Sequence, residues 1–227
     1  MTNRGALFIA ALLLVALAGI GQEESADHWI DRGDDLADQE NYEEAVRAYE
    51  RALEIEPGNT YALEQRGWAL THLGRYEEAL QSLDRALLIE PDSAFALRQR
   101  GRVLNSLGRY EEALQSLDRG LLIEPDSAFA LRQRGMALDG LGRLEEAILV
   151  YEKATALDPE DDISWFSMGY DLVELGRFEE AILPYRRAAS LDPGDAITWN
   201  NLGWAYYSLK EYEEALRCFE NATSIDL

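Results

Sequence analysis

The sequence predicts an all-α protein in which pairs of antiparallel helices stack into a single solenoid. One eleven-residue stretch, PDSAFALRQRG, occurs at 91–101 and again, unchanged, at 125–135. Prolines recur every 34 residues, at positions 57, 91, 125, 159 and 193, and glycines recur with the same period from position 33 to position 203. A fixed period of this length is typical of stacked repeats, which form one continuous array rather than separate globular domains.

The first 21 residues differ from the rest of the chain. They carry one basic residue, Arg4, and an apolar run over residues 6–20, and the polar sequence QEES begins at residue 22. A basic start, an apolar core and small residues at its end are typical of a secretory signal peptide. The run is shorter than the roughly 20 residues of a spanning helix, so the alternative, an uncleaved anchor at residues 6–20, is less favoured. The predicted location is therefore outside the cytoplasmic membrane: secreted, periplasmic or at the cell surface.

Residues 60–93 show how one repeat is built. Apolar residues recur at three-and-four spacing in both halves of this segment, so each half predicts an amphipathic helix. Gly74 is expected to end the first helix and Pro91 to end the second. Asp92 or Ser93 then stands where it can cap the first helix of the next repeat.

Small residues mark the expected close contacts between helices. Gly67 and Ala79 are placed where the two helices of one pair approach, and Ala86 is placed where the next repeat docks. Residues 74–101 and 108–135 are identical except that Gly120 replaces Ala86. A glycine in mid-helix is expected to cost about 0.5–1 kcal/mol relative to alanine.

The repeat unit resembles the tetratricopeptide repeat (TPR). In the last unit the matching residues are Trp199, Leu202, Gly203, Tyr206, Ala215, Phe219 and Ala222. After a short leader at 22–25, the resemblance covers residues 26–227 in six units: 26–59, 60–93, 94–127, 128–161, 162–195 and 196–227. It implies a right-handed α-solenoid of antiparallel helix pairs, with the first helix of each pair lining a concave groove.

Composition and motifs exclude several classes of function. Lys and Arg number 21 and Asp and Glu 43, a net charge of −22, and nucleic-acid binding needs an excess of basic residues against phosphates. The sequence contains no glycine-rich phosphate loop, no nucleophile elbow and no His-x-x-x-His pair. Its two histidines, His28 and His72, stand in unrelated settings. We therefore expect no catalytic residue, no metal site and no cofactor.

The candidate binding site lies in the centre of the implied groove. The resemblance places positions 2, 5, 6, 9 and 12 of each unit on the groove surface. Aromatic and basic residues at these positions in the central units are the candidate partner-binding residues: Tyr61, Trp68, Phe95, Arg98, Arg102, Phe129 and Arg132. Arginine and large aromatic residues are frequent binding anchors, and arginine binds carboxylates by charge-assisted hydrogen bonds. The alternative is that these arginines only offset neighbouring carboxylates.

The leading functional prediction is a non-enzymatic scaffold, exported across the cytoplasmic membrane, that binds a protein or peptide, with an acidic segment as the finer hypothesis. The alternative is a structural or self-assembling envelope component that associates through its last helix. The apolar flank of that helix, at Leu216, Phe219 and Ile225, is expected to be partly exposed. A membrane contact is expected only through an uncleaved N-terminal segment, and the sequence leaves the oligomeric state open.

Overall fold

The structure, a computed structural model, describes residues 25–225. Residues 1–24, which include the predicted signal segment, and residues 226–227 lie outside the described residues. Twelve helices in successive antiparallel pairs make up the described chain, which contains no strand, so the predicted all-α solenoid is confirmed. The helices are α1 (Ala26–Asp38), α2 (Tyr42–Ile55), α3 (Thr60–His72), α4 (Tyr76–Ile89), α5 (Ala94–Ser106), α6 (Tyr110–Ile123), α7 (Ala128–Gly140), α8 (Leu144–Leu157), α9 (Asp162–Glu174), α10 (Phe178–Leu191), α11 (Ala196–Ser208) and α12 (Tyr212–Ile225).

The turn inside each pair depends on one residue in the left-handed conformation. Gly74 has a φ of 71°, which lets the N–H of Arg75 donate to the carbonyl of Leu70 at 2.9 Å and close the end of α3. Glycine takes the same conformation in the next three units. In the first and last units Glu40 (φ 58°) and Lys210 (φ 65°) adopt it instead, at a steric cost that glycine avoids.

The first helix of unit 5 differs from the other first helices in its N-terminal cap. Ser93, one of the two predicted caps, accepts a hydrogen bond at its Oγ from the N–H of Ala96 at 3.1 Å. Asp161 stands at the corresponding place before α9 but makes no side-chain cap bond. Its carboxylate instead accepts from the Ser164 hydroxyl at 2.5 Å and from Arg132 at 2.6 Å. In unit 5 the residue at the cap position therefore binds Arg132 of unit 4 and leaves its own helix without a side-chain cap.

Small residues lie where the helices come closest. A Cβ atom on Gly67 would lie 2.8 Å from Cγ of Leu83, so only glycine fits between α3 and α4. Gly120 differs, because a Cβ there would lie 3.4 Å from Cβ of Leu97, an ordinary contact. Ala86, its counterpart one unit earlier, is fully buried.

The array curves with its first helices on the inner side. First helices of neighbouring units approach one another within 8 Å between Cα atoms, whereas among residues 25–225 the second helices of neighbouring units do not. The inner surface formed by α1, α3, α5, α7, α9 and α11 is therefore concave, as the resemblance implied. Within residues 25–225, no helix combines the length and apolarity required to cross a membrane.

An arginine ladder joins the first four units. In units 2 to 4 an arginine directly precedes the glycine that recurs every 34 residues. Its guanidinium forms an ion pair with a carboxylate on the second helix of the preceding unit: Arg66 with Glu50 at 2.7 Å, Arg100 with Asp84 at 2.6 Å and Arg134 with Asp118 at 2.6 Å. The ladder ends at unit 5, where Met168 takes the arginine's place. These ion pairs connect successive units beside their apolar interfaces.

Candidate partner-binding groove

A cleft of about 720 Å³ opens in the centre of the concave surface. It lies between α3, α5, α7 and the loop before α7, and its lining residues are Trp68, Arg98, Gln99, Arg102, Glu124, Pro125, Asp126, Ser127 and Phe129. Four of the seven candidate residues are among them: Trp68, Arg98, Arg102 and Phe129. The volume is in the range of roughly 300–1,000 Å³ that is typical of ligand pockets.

The other three candidate residues do not line the cleft. Phe95 lies beneath Arg98, with 5.0 Å between its ring centroid and the guanidinium carbon. The Tyr61 hydroxyl donates to Oδ2 of Asp34 at 3.0 Å, toward the first unit. Arg132 turns to Asp161 in the next unit.

Two of the three candidate arginines already have carboxylate partners. Nη1 of Arg98 lies 2.6 Å from Oε2 of Glu124, and Nη1 of Arg132 lies 2.6 Å from Oδ1 of Asp161. Asp161 is only 3% exposed, so Arg132 is its source of charge compensation. For Arg98 and Arg132 the structure therefore matches the alternative interpretation, in which the arginines offset neighbouring carboxylates.

Arg102 is different. Its side chain is partly buried, and it forms no hydrogen bond or ion pair with any residue in 25–225. Burial lowers the pKa of its guanidinium, and the nearby Arg132 charge lowers it further. A partly buried charge without a partner is less well solvated than one in water, so Arg102 is the group in the cleft that gains most from an anionic ligand.

Trp68 on the cleft wall belongs to a cluster of three aromatic rings. Trp68 packs against Tyr42 with 5.6 Å between centroids and against His72 with 4.4 Å, and Tyr42 and His72 stack at 4.7 Å. Burial lowers the pKa of His72, as does the charge of Arg102, and both favour the neutral imidazole. This packing holds Trp68 in place as an apolar surface beside a cation.

Gln99 is a second incomplete group at the cleft. It is 5% exposed, and its Oε1 atom has no donor among the described residues. In the duplicated unit, Oε1 of Gln133 accepts from Nδ2 of Asn105 at 3.2 Å. Unit 2 has Thr71 at the place of Asn105, and that hydroxyl donates to the carbonyl of Gly67 at 2.7 Å instead. The missing donor thus follows from one sequence difference between repeats.

Sequence reasoning missed an acidic pair in the next part of the array. Asp171 on α9 has no exposed surface, and neither carboxylate oxygen has a hydrogen-bond donor within residues 25–225. Burial raises its pKa to about 8, as does the neighbouring Asp139 on α7. Asp171 is therefore largely protonated at neutral pH. The sequence around Asp139 and Asp171 does not indicate that the two carboxyl groups are neighbours. They come together only because α7 packs beside α9.

An exposed aromatic patch at the last two units was also absent from the candidate list. Trp204 is 55% exposed and lies 5.5 Å from Tyr207, which lies 5.6 Å from Tyr212. Large aromatic residues at groove positions of unit 6 were a usable signal for this patch. Among residues 25–225, no group of three or more side chains is arranged to bind a metal ion.

Sequence models of one repeat family match most of the chain. Four models described as tetratricopeptide repeat match residues 30–95, 74–135, 128–161 and 196–226, and one described as TPR repeat matches 169–210. Together they cover residues 30–226 except 162–168. Among proteins with curated functions, none matches the sequence.

Solved structures share the architecture. The 41-end fragment of MamA from Desulfovibrio magneticus RS-1 is 26% identical, with a TM-score of 0.68 over 77% of this chain and 99% of that chain. PilF of Pseudomonas aeruginosa is 20% identical, with a TM-score of 0.75 over 86% and 89%. YrrB, described as a TPR protein with an unusual peptide-binding site, is 24% identical, with a TM-score of 0.65 over 79% and 93%. These similarities establish the solenoid fold.

Proposed function

Because this chain belongs to the tetratricopeptide repeat family, we propose that it is a non-enzymatic scaffold that binds a peptide or protein segment in its concave groove. The observation that carries the proposal is the central cleft of about 720 Å³, whose wall combines aromatic rings with the unpaired Arg102. Such residues in concave, partly desolvated settings are typical anchors for protein partners. The peptide-binding site described for the fold neighbour YrrB supports the same function.

The finer proposal concerns the chemistry of the partner, which we take to carry an acidic segment. Guanidinium groups bind carboxylates by short, charge-assisted hydrogen bonds. The chain has a net charge of −22, so its long-range field does not attract an acidic partner. Recognition therefore depends on the local cation in the cleft, where low exposure to water strengthens the contact.

Peptide selection on the full chain tests this function. Peptides selected from a random displayed library are titrated against the natural protein and against Trp68→Ala and Phe129→Ala variants, with Leu122→Ala as a matched control on an 84% exposed side chain. Loss of a groove anchor is expected to weaken binding about tenfold or more, and the control to leave it unchanged. Circular dichroism verifies that each variant is helical. Failure to select any peptide, or equal binding by all variants, contradicts the proposal.

We also propose export across the cytoplasmic membrane, supported by the sequence of residues 1–21 alone. The measurement is the mass of the N-terminal peptide of protein recovered from cell fractions. A start near residue 22 outside the membrane supports cleavage, and an intact Met1 in the membrane fraction supports an anchor. Recovery of the intact chain from the cytosol contradicts export.

One observation favours the second candidate function, self-assembly through the last helix. On α12, Leu216 is 59% exposed, Tyr212 58% and Ile225 36%, whereas Phe219 packs against Gly203. Tyr212 and Leu216 lie one turn apart on the same face of the helix, and neighbouring exposed apolar residues are typical of an association surface. Sedimentation of the full chain over a range of concentrations tests this. Association that is lost in Leu216→Glu and kept in the exposed-surface control Leu122→Glu favours assembly, and a monomer at all concentrations excludes it.

A further inference from the structure

Clefts also open on the outer surface of the array, between the second helices of neighbouring units. Within residues 25–225 these helices do not approach one another within 8 Å between Cα atoms, and the first helix of the later unit forms the floor between them. One such cleft lies between α4 and α6 with α5 beneath it, and another lies between α8 and α10 with α9 beneath it. The two occupy the same place in the repeat, two units apart, so their side chains can be compared position by position.

The cleft between α4 and α6 contains a polar network that belongs to the arginine ladder. The guanidinium of Arg100 pairs with Asp84 at 2.6 Å, and its Nη1 donates to the Ser116 hydroxyl at 2.5 Å. Gln115 also lines this cleft. The arginine, the aspartate and the serine are thus satisfied within the array, without a ligand.

Between α8 and α10 the three polar side chains supplied by α5 and α6 have apolar counterparts. Met168 stands at the place of the arginine, Leu183 at that of the glutamine and Pro184 at that of the serine. Met168 and Pro184 are buried, whereas Leu183 is 61% exposed at the rim. The other large apolar lining residues are Ile148, Trp165 and Leu172. The cavity, which we call the outer cleft, has a volume of about 370 Å³, and a ligand that covers its apolar surface gains hydrophobic free energy.

The rim of the outer cleft is acidic. Glu152 stands at the place of Asp84, but the ladder arginine is absent and Glu152 forms no ion pair within residues 25–225. Arg177 is held by Glu180, with 2.5 Å between Nη2 and Oε2. This bond raises the pKa of Arg177, and the charges of Glu145 and Glu152 raise it further. Three carboxylates therefore surround one guanidinium, so the rim attracts a further cation.

We propose that the outer cleft is a docking site for a segment of a partner protein, which inserts a large apolar side chain between α8 and α10 and places a lysine or arginine on Glu152. The partner's cation takes the place that the ladder arginine holds in units 2 to 4. A second copy of this chain is a poor occupant because a net charge of −22 makes copies repel one another, whereas it attracts a basic segment. The site lies on the surface opposite the concave groove, so it goes beyond the proposed function and lets the scaffold hold two partners at once.

Two libraries of acetylated and amidated decapeptides serve as probes. Each has a fixed central Leu and random uncharged residues elsewhere, except that one has Lys and the other Gln four residues after the Leu. Both are titrated at low salt against the full chain and against Met168→Arg/Pro184→Ser, which gives unit 5 the arginine and serine of unit 3. The matched control is Met136→Arg, the same substitution on the concave surface. Circular dichroism verifies folding, and two changes at exposed side chains, Leu183→Gln and Glu152→Gln, keep the test decisive if the double variant does not fold.

We expect the Lys peptides to bind about two- to fivefold more tightly than the Gln peptides, since an exposed ion pair contributes little more, and Glu152→Gln to remove this difference. The double variant is expected to weaken both libraries at least tenfold, because the arginine fills the space that buries the leucine, and Leu183→Gln to weaken them about threefold. Met136→Arg should leave binding unchanged.

Four results overturn the proposal. The first is absence of binding by both libraries, and the second is equal binding of Lys and Gln peptides to the natural chain. The third is binding that neither the double variant nor Leu183→Gln weakens, or that Met136→Arg weakens as much, since the peptides then lie in the concave groove. The fourth is self-association of the full chain in sedimentation that the double variant loses, because a second copy is then the occupant.

Discussion

Replacement of Gly120 by alanine is expected to stabilise the protein. The change makes residues 108–135 identical to residues 74–101, where Ala86 is fully buried in the same setting. The new methyl group would lie 3.4 Å from Cβ of Leu97, an ordinary contact that fills space without a clash. Alanine gains about 1 kcal/mol over glycine in a helix, and burial of the methyl group adds up to about 0.8 kcal/mol. We expect a net gain of about 1–1.5 kcal/mol.

The matched control is Gly101→Ala in the same unit. A Cβ on Gly101 would lie 2.4 Å from Cγ of Leu117, so the helix pair must move apart, at a net cost of about 1–3 kcal/mol. Urea unfolding of the full chain, followed by circular dichroism at 222 nm, measures both changes. The slopes must stay equal for the midpoints to be compared. A destabilised Gly120→Ala protein, or an unaffected Gly101→Ala protein, refutes the packing argument.

Three further predictions concern charge and backbone strain. Arg132→Gln removes the ion partner of the 3% exposed Asp161 and is expected to cost about 2 kcal/mol in urea unfolding, whereas Arg102→Gln costs nothing measurable. Asp171 has a pKa raised to about 8, so the folded protein binds a proton that the unfolded chain releases near pH 4; stability therefore falls as pH rises from about 4 to 8. Unfolding titrations at pH 5, 7 and 9 check this, and Asp171→Asn should reduce the dependence without abolishing it, because burial also raises the pKa of Asp139. Lys210→Gly, at a φ of 65°, is expected to raise the unfolding free energy by about 0.5–1 kcal/mol, because glycine adopts that conformation without strain. A lower or unchanged midpoint contradicts it.

The fold could be predicted from the sequence because each local signal repeats six times in phase. Apolar spacing, Gly74 at the turn and Ser93 at the cap each specify one feature of the unit, and stacking follows because no single pair buries its apolar faces. The arginine ladder was also present as a signal, since Asp84 precedes Arg100 by the same 16 residues that separate Glu50 from Arg66. It was missed because a pattern within one unit does not reveal bonds between units.

The site could be predicted only in part. The resemblance to the tetratricopeptide repeat implied the surface on which Trp68, Arg98 and Arg102 lie, but it could not separate paired from unpaired arginines. That distinction depends on the rotamers of Arg98 and Arg132 and on Asp161, which stands at the N-cap position of α9 but binds Arg132 instead. Ion pairs between units depend on how the helices pack in three dimensions, so they can be identified only in the structure of the stacked units.

Within residues 25–225, the buried side-chain groups without a hydrogen-bond partner lie in the middle units. Unpaired Arg102, unsatisfied Gln99, mid-helix Gly120 and buried Asp171 all lie in units 3 to 5. In a linear array, stability is approximately the sum of each unit's own stability and its contacts with its neighbours. A central unit is supported on both sides, whereas a terminal unit has one interface. The central units can therefore contain groups that only a ligand would satisfy. A groove that binds its ligand at the centre thus has its binding residues in the units that best tolerate the loss of folding stability.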